Sequence, residues 1–144
     1  MTGTAPRVTG VLETSLYVAD LERSRAFYQE LLGLAVFLLD ERMCALEVPG
    51  RQVLLLFRRG ASLQPSPTPG GMIPPHDGHG TLHLAFAVAA ADLAIWERRL
   101  AEHGIAVESR VKWPAGGTSV YFRDPDNHSL EFATPGLWPN YLHE

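Results

Sequence analysis

Cysteine is almost missing from this chain of 144 residues, and what little there is forbids an internal disulfide. Cys44 stands alone, which fits a reducing cytosol and makes a cytoplasmic location the expectation. Positive charge is also scarce. Twelve Lys and Arg against sixteen Asp and Glu leave a formal charge of -4, with no basic stripe, so nucleic acid is excluded as a partner. No apolar run approaches the ~20 residues of a membrane span, so no membrane partner is expected. The N-terminus lacks the basic and apolar regions of a signal peptide. At 46% hydrophobic and 19% charged, the composition is that of an ordinary globular domain large enough to bury a core.

The most informative stretch is Thr118 to Thr134, which reads as a β-hairpin around the turn Asp124-Pro125-Asp126-Asn127. Side chains on a strand alternate between faces. Leu130 and Phe132 therefore point into a core. Glu131 points the other way, between the small residues Ser129 and Ala133, with room to reach a partner.

Upstream, Leu12–Val18 alternates as a strand. Asp20 is placed as the N-cap of a helix over 21–32, whose apolar stripe is Leu21, Phe27, Tyr28, Leu31 and Leu32, and which Gly33 ends. Strands are expected near 35–39, 43–48 and 52–58. The segment 64–80 is crowded with proline and glycine and reads as a linker with no helix or inner strand. The first half then recurs. A strand is expected at 82–88, a helix capped by Asp92 and ended by Gly104, and strands near 106–112, 118–123 and 129–133. Glu13 precedes Val18 by the same interval as His83 precedes Val88. This is an internal duplication of a β-α-β-β-β unit.

The expected fold class is α+β: two tandem βαβββ modules forming a curved, mixed, eight-stranded sheet around a cleft, with the helices behind. The boundaries are one domain over 11–135, divided into module one (11–60), the linker (64–80) and module two (81–135), followed by a tail at 136–144. By parity Glu13, His83 and Glu131 all face away from the helices and are placed as three ligands of one metal. One nitrogen and two carboxylates suit Mn²⁺, Fe²⁺, Ni²⁺, Co²⁺ or Zn²⁺ and leave coordination positions open for water and substrate. Arg110 and Lys112 share a strand face and are placed as a positive, substrate-binding pair. Tyr121 is placed as a hydrogen-bond donor to the substrate, and Glu13 as the candidate base.

Two stretches carry a family resemblance: L-E-T-S-L-Y-V-A-D-L-E-R-S-R-A-F-Y-Q-E-L-L-G-L, and S-V-Y-F-R-D-P-D-N-H-S-L-E-F. Together they resemble the vicinal-oxygen-chelate superfamily of glyoxalases, bleomycin-resistance proteins and extradiol dioxygenases, over about residues 11–135. The resemblance implies paired βαβββ modules, a homodimer, and a metal at Glu13, His83 and Glu131 that vicinal oxygens of a small-molecule substrate chelate. It also implies that Ser15, Ser119 and Tyr121 are polar cleft positions, with Lys112 near a substrate-binding lysine, as in fosfomycin-resistance transferases. The chain departs from the pattern in three places. A fourth ligand position of glyoxalase I falls on Leu55, which cannot bind a metal. Glu13 stands where dioxygenases and fosfomycin-resistance enzymes have His, which counts against oxygen activation. The tail has no Arg where the latter bind a phosphonate.

The functional expectation is a glyoxalase-like, metal-dependent enzyme with isomerase, lyase or transferase chemistry. The alternatives are a metal-free, drug-sequestering protein of the bleomycin-resistance type and, third, an extradiol dioxygenase. His76-Asp77-Gly78-His79 offers a rival metal cluster, for which a polar turn is the simpler reading. Met72–His76 reads as a lid over the cleft, His128 as a turn residue, and Trp138 and Tyr141 as aromatics packed on the body or on a second subunit.

Overall fold

The computed structural model describes residues 3–144. Its first module runs β1 (Glu13–Val18), α1 (Leu21–Leu32), β2 (Val36–Leu39), β3 (Met43–Val48) and β4 (Gln52–Arg58). A hairpin of β5 (Ser66–Thr68) and β6 (Gly71–Ile73) follows. The second module is β7 (His83–Ala87), α2 (Leu93–Glu102), β8 (Ser109–Lys112), β9 (Thr118–Arg123) and β10 (Ser129–Ala133).

The fold is α+β, and the duplication is real in its topology. One sheet has the order β1-β4-β3-β2 and the other β7-β10-β9-β8, which is the same order in each module. In each, the first and last strands pair parallel and the remaining pairs are antiparallel. The expectation of one eight-stranded sheet is corrected here: the strands form two separate four-stranded sheets. The linker, expected to carry no regular structure, carries the short hairpin β5–β6, in which Thr68 Oγ1 donates to the Gly71 carbonyl at 2.6 Å.

Capping chemistry sets the helix ends. Asp20 is extended and its carboxylate accepts from the Arg23 amide at 3.0 Å, satisfying one of the unpaired donors of α1. Gly33 takes the left-handed conformation at the other end and donates to the Gln29 carbonyl at 2.9 Å. Asp92 departs from its expected role. A single 3-10 turn, Ala90–Asp92, leads into α2, and the Asp92 side chain makes no capping bond. Gly104 and Ile105 do close α2, through bonds to Ala101 and Leu100 at 3.0 and 2.9 Å.

Alternation decides what each sheet buries. Leu16, Val18, Leu54 and Leu56 of the first module join Phe122, Leu130 and Phe132 of the second in one continuous core, together with Tyr28 and Leu31 of α1. Each such fully buried side chain contributes roughly 1.5–3 kcal/mol through removal of apolar surface from water.

The modules are also joined by polar contacts from the β9–β10 turn. His128, fully buried, accepts from the Leu82 amide at Nδ1 (2.9 Å), so its Nε2–H donates to the Tyr17 carbonyl (2.8 Å). Asp126 accepts from the Ala19 amide at 2.8 Å and from Ser24 Oγ at 3.2 Å, with Arg23 and Arg59 within 3.4 and 3.7 Å. The turn is therefore more than a chain reversal. It clamps the second module to the first, and His128 serves that joint.

Candidate metal centre

The sheet faces that lack helices carry the chemistry. Strand β7 pairs with β10 in the register Ser129↔His83 and Glu131↔Ala85, and β9 pairs with β10 as Tyr121↔Glu131 and Ser119↔Ala133. His83, Ser119, Tyr121 and Glu131 thus share one face, while Leu84, Phe86, Leu130 and Phe132 take the core face. The neighbours on the site's own face are Ala85, Ala87 and Ala133, small enough to leave space above the sheet.

His83 Nε2 lies 3.2 Å from Glu131 Oε1. The other ring nitrogen, Nδ1, lies 2.9 Å from the Ser129 carbonyl oxygen, to which it donates. That bond leaves Nε2 facing the carboxylate: an imidazolium there would donate to Glu131, and in the neutral ring the Nε2 lone pair and the carboxylate make two donors for a cation beside them. Donors 3.2 Å apart have the spacing of adjacent ligands each ~2.0–2.2 Å from a shared ion. A carbonyl bonded to the far nitrogen of a ligating His is also a common outer-shell arrangement. The residues fit a divalent transition metal on these grounds.

The carboxylate is braced from behind. Ser119, fully buried, donates to Glu131 Oε2, and Trp113 Nε1 donates to Ser119 Oγ at 2.8 Å. Glu131 itself is almost entirely buried, with its side chain 5% exposed, against 52% for His83. A carboxylate so far out of water needs such partners. Tyr121 stacks beside His83, with ring centroids 6.2 Å apart. Burial, and then the charge of Glu131, raise the Tyr121 phenol above its ordinary pKa, so it stays protonated and able to donate.

Over the pair lies a cavity of about 730 Å³. Trp113 and Tyr121 form one wall, and Leu137, Trp138 and Tyr141 of the tail form another. The tail is held there by its own turn, with Gly136 donating to the Tyr141 carbonyl at 2.9 Å. Tyr121 apart, these wall residues lie outside the sequence reading of the site. Trp113 sits in an irregular loop with no periodicity, and the tail aromatics reach the site only through a fold-back that no local pattern announces.

Other expected site residues do not reach it. Glu13 and Ser15 lie on the outer face of the first sheet, in register with Val53 and Leu55. Among the described residues no three of His, Cys, Asp and Glu come together around one point, so Glu13 does not join His83 and Glu131 within one chain. Arg110 and Lys112 do share a face, but it is the other face. They pair with Val120 and Thr118, and Arg110 forms a salt bridge with Glu97 of α2. The rival cluster is split: His76 bonds the Tyr17 hydroxyl at 2.7 Å and packs edge-on to Phe57, while Asp77 accepts from the Gly60 amide and keeps exposed His79 at 3.5 Å. In doing so the linker covers the Tyr17–Phe57 end of the first sheet's outer face rather than closing over the second's. Met72 and Ile73 remain exposed.

The sequence model of the glyoxalase/bleomycin resistance protein/dioxygenase superfamily matches residues 10–132. This chain belongs to that superfamily. Within it, the chain is similar to a glutathione transferase, FosA, of Serratia marcescens, with 32% identity over 85% of this chain and 79% of that protein. It is similar to a metallothiol transferase, FosB, of Bacillus licheniformis, with 26% identity over 92% of this chain and 79% of the relative. Among solved structures, a lactoylglutathione lyase from Agrobacterium tumefaciens superposes with a TM-score of 0.83 at 34% identity, covering 93% of this chain and 99% of that one. The superfamily members it resembles thus include transferases, a lyase and a catechol-2,3-dioxygenase of Bacillus subtilis, the last at 30% identity over 81% of this chain and 38% of that protein. No helix among the described residues is long and apolar enough to cross a membrane.

Proposed function

We propose that this superfamily member is a metal-dependent enzyme of the glyoxalase type, acting on a small oxygenated substrate by lyase, isomerase or transferase chemistry. The observation that carries the reading is the facing of His83 Nε2 and Glu131 Oε1 at 3.2 Å, with Nδ1 occupied elsewhere and Oε2 held by Ser119. His83 and Glu131 would hold the ion, with Glu13 of a second copy as the third ligand. Exposed Glu13 sits on a sheet face equivalent to the one that carries His83, by the duplication. The proposal is therefore a homodimer whose sites are completed across the seam. A cytoplasmic setting suits the lone thiol of Cys44, which is buried.

When bound, a divalent metal supplies Lewis acidity, polarising a substrate oxygen. The chain's own residues do the rest. Ser129 holds the His83 ring in the tautomer that presents Nε2. Ser119 keeps the Glu131 carboxylate turned toward His83. Tyr121, kept protonated by its surroundings, donates a hydrogen bond to a substrate oxygen over the cavity floor. Glu13 is the carboxylate available to take a proton, being neither buried nor braced. The aromatic walls give the reacting atoms apolar surroundings on two sides.

The test is metal uptake by the chelator-treated protein, followed by elemental analysis and thermal denaturation. One transition-metal ion per chain and a raised melting temperature are expected. No uptake with Mn²⁺, Fe²⁺, Co²⁺, Ni²⁺ or Zn²⁺ sinks the reading.

A further inference from the structure

A tryptophan side chain can donate a hydrogen bond but cannot accept one, whereas a hydroxyl does both with a single hydrogen. That difference fixes the direction of the bonds behind Glu131. Trp113 Nε1 donates to Ser119 Oγ at 2.8 Å. The one hydrogen of Ser119 then goes to Glu131 Oε2, since a carboxylate only accepts. The row runs one way, from indole through hydroxyl to carboxylate. It ends on Oε2 and leaves Oε1, the oxygen 3.2 Å from His83 Nε2, for an ion.

Hydrogen bonds in such a row polarise one another, so the indole strengthens the donation that Ser119 makes. It also occupies the acceptor side of a hydroxyl that is fully buried and has no water to turn to. Without the indole N–H, Ser119 can rotate, and Glu131 loses a fixed partner.

Trp113 itself is held in place by its backbone. Its amide donates to the Gly117 carbonyl at 2.8 Å, and its carbonyl accepts from the Gly116 amide at 2.9 Å, closing the loop between β8 and β9. The ring reaches from buried Ser119 to the cavity wall. Trp138 lines the same cavity from the tail, is 65% exposed and stands outside this row.

We propose that Trp113 is a positioning residue of the metal centre, acting through Ser119 to keep Glu131 Oε1 presented to the ion. This rests on the metal reading above and deepens it by a residue two hydrogen bonds behind the carboxylate ligand.

The experiment measures Zn²⁺ affinity of the full-length protein by competition with a fluorescent chelator. Trp113→Phe keeps a ring and removes the donor. It is expected to lower affinity about three- to tenfold, less than loss of a group that touches the ligand directly. In a Ser119→Ala background the same change is expected to add nothing, because its route is already cut. Trp138→Phe alters the opposite wall and is expected to leave affinity within about twofold. A second readout needs no variant at position 113. The Trp113 indole N–H resonance of ¹⁵N-labelled protein, assigned through its own backbone amide, is expected to shift at saturating Zn²⁺, and to stay still in Ser119→Ala. Unchanged affinity in Trp113→Phe, additive losses in the double variant, an equal loss in Trp138→Phe, or an indole shift that survives Ser119→Ala overturns the proposal and leaves the metal reading standing. Failure of the wild type to take up Zn²⁺ overturns the proposal, and failure with Mn²⁺, Fe²⁺, Co²⁺ and Ni²⁺ as well overturns the metal reading with it.

Discussion

The Tyr28 hydroxyl donates a 2.7 Å hydrogen bond to Asp124 Oδ2, tying the first module's helix to the second module's hairpin turn. Tyr28 is fully buried, and the same carboxylate accepts at Oδ1 from the Asp126 and His128 amides at 3.0 and 2.8 Å. The contact therefore sits at the centre of the joint between modules.

Tyr28→Phe keeps the ring and removes the donor, leaving part of a buried carboxylate unsatisfied. It should cost about 1–3 kcal/mol in urea denaturation. Burial first, and then the charge of Asp124, push the Tyr28 phenol well above its usual pKa of 10.0. A group whose folded pKa is raised contributes stability that is complete below its unfolded value and is lost as pH climbs toward the folded one. The wild type should thus lose stability from about pH 10 upward, and Tyr28→Phe should show less of that loss. Parallel alkaline profiles in the two proteins would contradict the assignment.

His128 offers a second test of the same joint. His128→Leu fills similar space but leaves the Leu82 amide and the Tyr17 carbonyl without partners. Two buried unsatisfied groups should cost about 2–5 kcal/mol, measured as a shift in denaturation midpoint at unchanged slope. A loss below about 0.5 kcal/mol would mean that water replaces the imidazole.

At the metal centre the residues should rank by their distance from the ion. Ser119→Ala removes the bond to Glu131 Oε2 and the acceptor of Trp113 Nε1, but no ligand, and should lower metal affinity by about 10–100-fold. His83→Ala removes a ligand outright and should lower it further. Competition with a fluorescent chelator gives both values. A Ser119→Ala variant weaker than His83→Ala would place the ion elsewhere.

How far such a site can be read from residues alone depends on which relationships are local. The parity that puts His83 and Glu131 opposite Leu84, Phe86, Leu130 and Phe132 is local, and it was legible. So were the caps Asp20 and Gly33, because each acts within one helical turn. For Arg110 and Lys112 parity correctly put both on one face but could not say which. That is set by the register with β9, where Val120 and Thr118 are their neighbours. Asp92 looked like a cap because its residue type suits one, yet the chain enters α2 through a 3-10 turn, and Glu144 from the tail bonds the Ala90 amide there. Trp113 and the tail walls depend on contacts between distant segments, which spacing along the chain does not encode.

The tail wall rests on one glycine. Gly136 has φ +107, and an added Cβ would lie 2.4 Å from the Gly117 nitrogen and 2.8 Å from the Ala115 carbonyl oxygen. Both are backbone atoms with little freedom to move. Gly136→Ala should therefore displace Leu137, Trp138 and Tyr141 from the cavity and cost about 1–3 kcal/mol. Metal affinity should hardly change, since His83 and Glu131 lie on the sheet, while chymotrypsin cleavage at Leu137, Trp138 and Tyr141 should accelerate. An unchanged cleavage rate would mean that the tail is not held by the Gly136 turn.

The proposed completion of the site by a second copy has its own signature. Glu13→Ala and His83→Ala should each abolish activity or tight metal binding when assayed alone. In a mixed dimer, one site would combine Glu13 of the His83→Ala copy with His83 and Glu131 of the Glu13→Ala copy, and would be intact. The other would carry both lesions. Random mixing makes half the dimers mixed, with one working site in two, so co-refolded variants should recover about a quarter of the wild-type signal. If each chain assembled its own site, every site in the mixture would still lack one ligand, and nothing would be recovered. The recovery also requires subunit exchange, so it should grow with mixing time and vanish if the variants are combined only after crosslinking.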